Sequence, residues 1–106
     1  MKVLIDECVD QRIRLLFVGH DCHTAAYSGL AGLKNGELLA AAEVQGFHVM
    51  VTTDQEISFQ QNMGARRIGI IVLCAQTNRL ADLKPLLPLA LEALARIAPG
   101  QVIRVP

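Results

Sequence analysis

The chain has 106 residues, 52% of them hydrophobic and only 4% aromatic, and its ten Lys and Arg balance ten Asp and Glu. That length suits one domain, and the composition suits a core of Leu, Ile, Val and Ala. No basic surplus points to nucleic acid, no run approaches the ~20 apolar residues of a membrane span, and four aromatic residues argue against a platform for stacked bases.

Lys2-Val3-Leu4-Ile5 is a short apolar run that stops at Asp6-Glu7, which predicts a buried strand ending in charge. Residues 9–17 carry Val9, Ile13, Leu16 and Phe17 at helical spacing, with Asp10 placed for the first turn and Gly19 for the end. Residues 20–24 form a weakly marked second strand, followed by the glycine-punctuated loop Gly29-Leu30-Ala31-Gly32. An Ala- and Leu-rich helix covers 38–44, opened by Asn35 or Gly36 and closed by Gly46. Residues 47–53 are β-branched and apolar, a third strand that ends at Asp54; 55–63 are polar and ambiguous. Residues 68–73 are the clearest strand of all. A long amphipathic pattern then runs from Leu80 to Ile97, started or bent by Pro85 and Pro88 and ended by Pro99-Gly100. Residues 101–105 make a last short strand. Strands alternating with helices predict an α/β fold with a mostly parallel sheet covered on both faces.

Open parallel sheets place their sites beyond the carboxyl ends of strands. Two apolar strands end there in acid, at Asp6-Glu7 and at Asp54, and Glu37 opens a helix that should start at the same rim. Two carboxylates ~5 Å apart repel by about 3 kcal/mol at an effective dielectric near 20, which a proton or a cation must relieve. Carboxylate oxygens suit Mg²⁺ or Mn²⁺, and such an ion supports phosphoryl chemistry. Asp6, directly after an apolar strand, has few ordinary explanations, but the other acids do have them. Glu7 and Glu56 read as solvated acids, Glu37 as a helix-dipole partner and Asp54 as a turn cap. Arg66 and Arg67 could meet phosphate or simply lie solvated before a strand.

The remaining candidates are weaker. His20, His23 and His48 lack metal-site spacing, the 29–35 loop has no Lys-Ser/Thr of a P-loop, and Ser28 and Ser58 have no nucleophile-elbow context. Cys8, Cys22 and Cys74 are an odd set without CxxC spacing, which fits buried thiols in a reducing compartment rather than disulfides or zinc. No basic-then-apolar region precedes Asp6 and Glu7, so a cytoplasmic location is expected.

Taken in order, Val3-Leu4-Ile5-Asp6-Glu7, Gly19-His20-Asp21, Gly29-Leu30-Ala31-Gly32, Glu37-Leu38-Leu39 and Val51-Thr52-Thr53-Asp54 resemble a bacterial family of PIN-like domains related to VapC-type toxin nucleases. Gln60-Gln61-Asn62 and Leu73…Asn78-Arg79-Leu80 look like one branch of it. The resemblance implies a PIN-like three-layer α/β/α domain over residues 1–106 and a Mg²⁺- or Mn²⁺-dependent endoribonuclease. Asp6, Glu37 and Asp54 would be the catalytic and metal-holding acids, and Glu56 lies nearest to a fourth. Asn62 would be a neutral ligand or phosphate contact. An RNA substrate, an antitoxin protein and a homodimer are the implied partners.

Two rivals stay open on the same residues. A two-component receiver domain also has an acidic pair after its first strand and an Asp after its third, but it uses a Lys at the end of the last strand, where this chain reads Val102-Ile103-Arg104-Val105-Pro106. A non-catalytic PIN-like binding module would keep the fold without the metal.

Overall fold

Five short apolar segments become the strands β1 (Lys2–Ile5), β2 (Asp21–Thr24), β3 (Val49–Thr52), β4 (Gly69–Leu73) and β5 (Val102–Val105) of a computed structural model that describes residues 1–57 and 63–106. All neighbours pair in parallel, in the order β2-β1-β3-β4-β5. Every residue of β3 and β4 is buried. Burial on both faces is why these two segments run apolar without the alternation of a half-exposed strand.

Alternate strand residues divide between two cores, one on each face. Val3, Ile5, Val51, Ile71 and Leu73 pack with Ile13 and Phe17 and with Leu83, Leu87, Ala90 and Leu94. Leu4, Met50, Ile70 and Val72 pack with Leu38, Leu39, Ala42, Phe47 and Ile57. Helix α1 (Asn35–Val44) covers the second face; α2 (Leu80–Leu83) and α3 (Leu87–Arg96) cover the first, giving three layers.

The sequence-based expectations need adjustment in two places. Residues 11–16 form a 3-10 helix rather than an α-helix. Asp10 caps it by accepting the Arg12 backbone N–H at 3.0 Å and the Arg12 guanidinium at 2.6 Å. That hydrogen-bonded pairing lowers the Asp10 pKa to about 2. The expected long last helix is broken into α2, a 3-10 turn at Lys84–Leu86 and α3. Pro85 and Pro88 cause the breaks, since a proline offers no N–H and its ring crowds the preceding turn. Both sit at the first positions of the next helical piece, where that N–H is not needed.

Helix α1 ends as its glycine predicts. Gly46 has φ +84°, its N–H reaches the Glu43 carbonyl, and the Phe47 N–H reaches the Ala42 carbonyl, each at 3.0 Å. This paired closure satisfies carbonyls that the helix leaves open and turns the chain into β3.

Candidate functional site

The chain runs from β1 outward to β2 and then returns across β1 to β3, so the strand order reverses between β1 and β3. At such a switch point the connecting loops diverge and leave a crevice beyond the carboxyl ends of the strands. Asp6 follows β1 directly. Its N–H continues the ladder to the Val51 carbonyl at 3.0 Å, which fixes its backbone beside the end of β3.

Thr52, the last residue of β3, links the two acids at this end of the sheet. It is 0% exposed, and its hydroxyl donates to Asp6 Oδ2 at 2.7 Å while accepting the Asp54 N–H at 3.0 Å. One buried hydroxyl therefore joins the Asp6 carboxylate to the backbone of Asp54 and is itself satisfied in both senses. Asp6 Oδ1 accepts the Glu7 N–H at 2.9 Å, and Asp54 Oδ1 accepts the Glu56 N–H at 3.0 Å. Local bonds of this kind hold short acidic side chains at turns.

Four further residues complete the rim, and the sequence reading did not select them. Cys8 Sγ lies 3.4 Å from Asp6 Oδ2 and 3.2 Å from Thr53 Oγ1. The Cys8 carbonyl accepts from Asn78 Nδ2 at 2.9 Å, which ties the loop after β4 to the loop after β1. From the edge strand β5, Arg104 Nη2 donates to the Gln55 carbonyl at 2.8 Å, next to Asp54. A hydroxyl, a thiol and two long-range side-chain bonds leave no periodic mark in a sequence.

Asp6 and Asp54 are thus brought to one rim, half-buried. Glu37 stands exposed in the first turn of α1, Glu56 is exposed, and Asn62 lies outside the described residues. Among the described residues no three His, Cys, Asp or Glu side chains gather as a metal-holding group, so Asp6, Glu37, Asp54 and Glu56 do not form one. Competing bonds account for part of this: Asp6 is drawn to Thr52, Asp54 to the turn at Glu56, and Glu7 Oε1 to the Gly32 N–H at 3.3 Å.

Arg66 and Arg67 are not at this rim. They precede β4, so they belong to the opposite, amino edge of a parallel sheet. There Glu43 holds both, accepting Arg66 Nη1 at 3.0 Å and the Arg67 N–H at 2.7 Å, while Arg66 Nη2 reaches the Gly36 carbonyl at 3.3 Å. The Glu43 side chain is 12% exposed. Burial raises its pKa, but the bonds from Arg67, Arg66 and Ile68 and the charge of Arg66 outweigh burial, and the net shift is downward.

Beside the Cys8 thiol, the donors at the rim are hard oxygens, the carboxylates of Asp6 and Asp54 and the hydroxyl of Thr53. Mg²⁺ commonly takes one or two carboxylates and completes its shell with water and phosphate oxygens, so two carboxylates fit such an ion without a preformed cage. No helix among the described residues is long and apolar enough to cross a membrane. Compared with protein-family models, with curated proteins and with solved structures, the chain matches none.

Proposed function

We propose that the crevice between β1 and β3 is the site of a divalent-cation-dependent phosphodiester hydrolase acting on RNA, with Asp6 and Asp54 as its cation-holding carboxylates. The observation that carries this reading is the shared Thr52 hydroxyl, which bonds the Asp6 carboxylate and the Asp54 backbone at the switch point of a parallel sheet. Mg²⁺ or Mn²⁺ supplies charge neutralisation of the phosphoryl group and a more acidic bound water. The chain's own part is orientation. Thr52 and the Glu7 N–H hold the Asp6 carboxylate, and Asn78 and Arg104 brace the loops beside it. Glu37 and Glu56 are the additional acids of this reading, and Asn62 its substrate contact. In its toxin form, a small antitoxin protein would cover the crevice.

A second reading, a non-catalytic binding module, is favoured by one observation: the acids are not gathered in threes among the described residues. The strand order is also that of flavodoxin-like and receiver domains. Order alone assigns no activity, and the last strand offers Arg104 rather than Lys.

The test is thermal unfolding of wild type and Asp54→Ala in EDTA, Mg²⁺ and Mn²⁺, followed by an RNA cleavage screen. A ligand at 100 times its Kd adds ~2.7 kcal/mol, a rise of roughly 10 °C for a domain of this size. The rise should appear in wild type and vanish in the variant. No rise at millimolar metal would leave the binding-module reading.

A further inference from the structure

Among the described Phe and Tyr residues, Phe17 and Phe47 are buried and Tyr27 is 81% exposed. Tyr27 is not isolated. Its N–H donates to Thr24 Oγ1 at 3.1 Å, and its ring stacks on His23 with centroids 5.6 Å apart and planes inclined by 16°. His23 is held in turn by Asp21 at 2.7 Å and by an edge-on contact with Phe47. A largely exposed aromatic ring thus lies stacked beside an imidazole and leaves most of its surface accessible.

Tyr27 lines a cleft of about 480 Å³ together with Gln11, Arg14, His23 and Thr24. That volume lies within the ~300–1,000 Å³ range of small-ligand clefts. The cleft runs along β2, the edge strand of the sheet, one side of which has no strand partner among the described residues. It combines a stacking surface, a guanidinium, and amide and hydroxyl groups that can donate or accept. This is the donor set that a nucleotide uses: a base on an aromatic face, a phosphate on Arg, and base edges on polar groups. The turn bearing Tyr27 lies at the same carboxyl end of the sheet as the acidic rim. Thr24 pairs with Ile5 in register, and the Ala25 N–H bonds the Ile5 carbonyl at 2.9 Å, so the turn bearing Tyr27 starts level with Asp6.

We infer that the Tyr27–Arg14 cleft is a nucleotide subsite for single-stranded nucleic acid, stacking one base on Tyr27 while the strand continues toward Asp6 and Asp54. The substrate class rests on the reading proposed above; the subsite itself does not require cleavage. One stacked base in place of an aromatic platform also agrees with the four aromatic residues of the chain.

Tyr27 is the single tyrosine and the chain has no tryptophan, so its emission reports on this cleft alone. The experiment titrates the whole protein in EDTA with a dye-labelled hexauridylate and with an abasic hexamer of the same backbone, reading Tyr27 emission and dye anisotropy. Wild type should bind the hexauridylate with a change in Tyr27 emission and bind the abasic hexamer more weakly. Tyr27→Ala should weaken hexauridylate binding about tenfold, as expected for one lost stack, and Tyr27→Phe should restore it. Because Tyr27 is exposed, Tyr27→Ala should melt as wild type does. Arg14→Gln should weaken both oligomers alike and reduce the salt slope by about 0.7. Wild type failing to bind hexauridylate, Tyr27→Ala binding it unchanged, or the abasic hexamer binding equally well would each overturn the inference. Tyr27-dependent binding without cleavage in Mg²⁺ or Mn²⁺ would uphold the subsite and remove the hydrolase reading.

Discussion

Thr52→Val removes one oxygen from a fully buried position and leaves the shape of the side chain nearly unchanged. Two bonds go with it, one to the Asp6 carboxylate and one from the Asp54 N–H. A hydrogen bond to a charged group contributes ~1.5–3 kcal/mol, and a buried N–H left without an acceptor costs ~1–3 kcal/mol. Both Asp6 and Asp54 are half-buried and regain some solvent, so about 2–4 kcal/mol is the expected loss. For a domain of this size that is a fall of roughly 10–15 °C in Tm. Thr52→Ser, which keeps the hydroxyl, should recover most of it. Scanning calorimetry of the three proteins in EDTA reads the effect without any metal. A fall of under about 3 °C in Thr52→Val would refute the reasoning that this hydroxyl fixes the two acids, because the bonds would then be of no consequence to the fold.

Two other consequences can be measured on the same apparatus. Gly100 has φ +75°, and a Cβ there would lie 2.7 Å from the Arg66 carbonyl oxygen and 2.8 Å from that of Met63, whereas a Cβ on Gly46 would meet nothing within 4 Å. Gly46→Ala should therefore lose only the ~1–2 kcal/mol of left-handed backbone strain, and Gly100→Ala at least twice that; equal losses would show that the 63–66 loop simply moves aside. The second concerns Glu43, whose folded pKa lies below its ordinary 4.5. A depressed carboxylate contributes stability that is present above its unfolded pKa and lost as pH falls through the folded one. The Tm difference between wild type and Glu43→Gln should thus shrink from about pH 6 to about pH 3, and a difference that stays constant or widens would contradict the pairing.

The strands were legible because burial on both faces forces continuous apolar runs, as in Gly69–Leu73, and because Asp6 and Asp54 break such runs abruptly. Helix ends were legible where backbone geometry demands a residue type, as at Gly46, Pro85 and Pro88. What escaped depends on distant partners. In the sequence Thr52 is one more β-branched strand residue; only the neighbouring strand shows that its hydroxyl is committed to a residue 46 positions away. Cys8 reads as an ordinary buried thiol, and its place beside Asp6 comes from the turn after β1. Arg66 looks like a solvated or phosphate-seeking cation until Glu43, 23 residues before it, is seen to hold its guanidinium, whereas the Arg67 side chain is indeed solvated and only its backbone N–H is held. Glu37 illustrates the converse. Its place in the first helical turn was legible, but a helix start does not fix where a long exposed side chain points.

The order β2-β1-β3-β4-β5 also has a consequence for the nascent chain. In the folded protein Val3, Leu4 and Ile5 are each 0% exposed, and β1 is covered laterally by β2 on one side and β3 on the other. A parallel sheet offers no local hairpin to shelter its first strand, because each pairing waits for a full crossover. At a synthesis rate of roughly 5–20 residues per second, Val49–Thr52 leaves the ribosome's peptidyl-transferase centre about 2–9 s after Lys2–Ile5. For that interval the apolar segment at the start of the chain lacks the inner of its two strand partners. The acids of the crevice meet only after that wait is over.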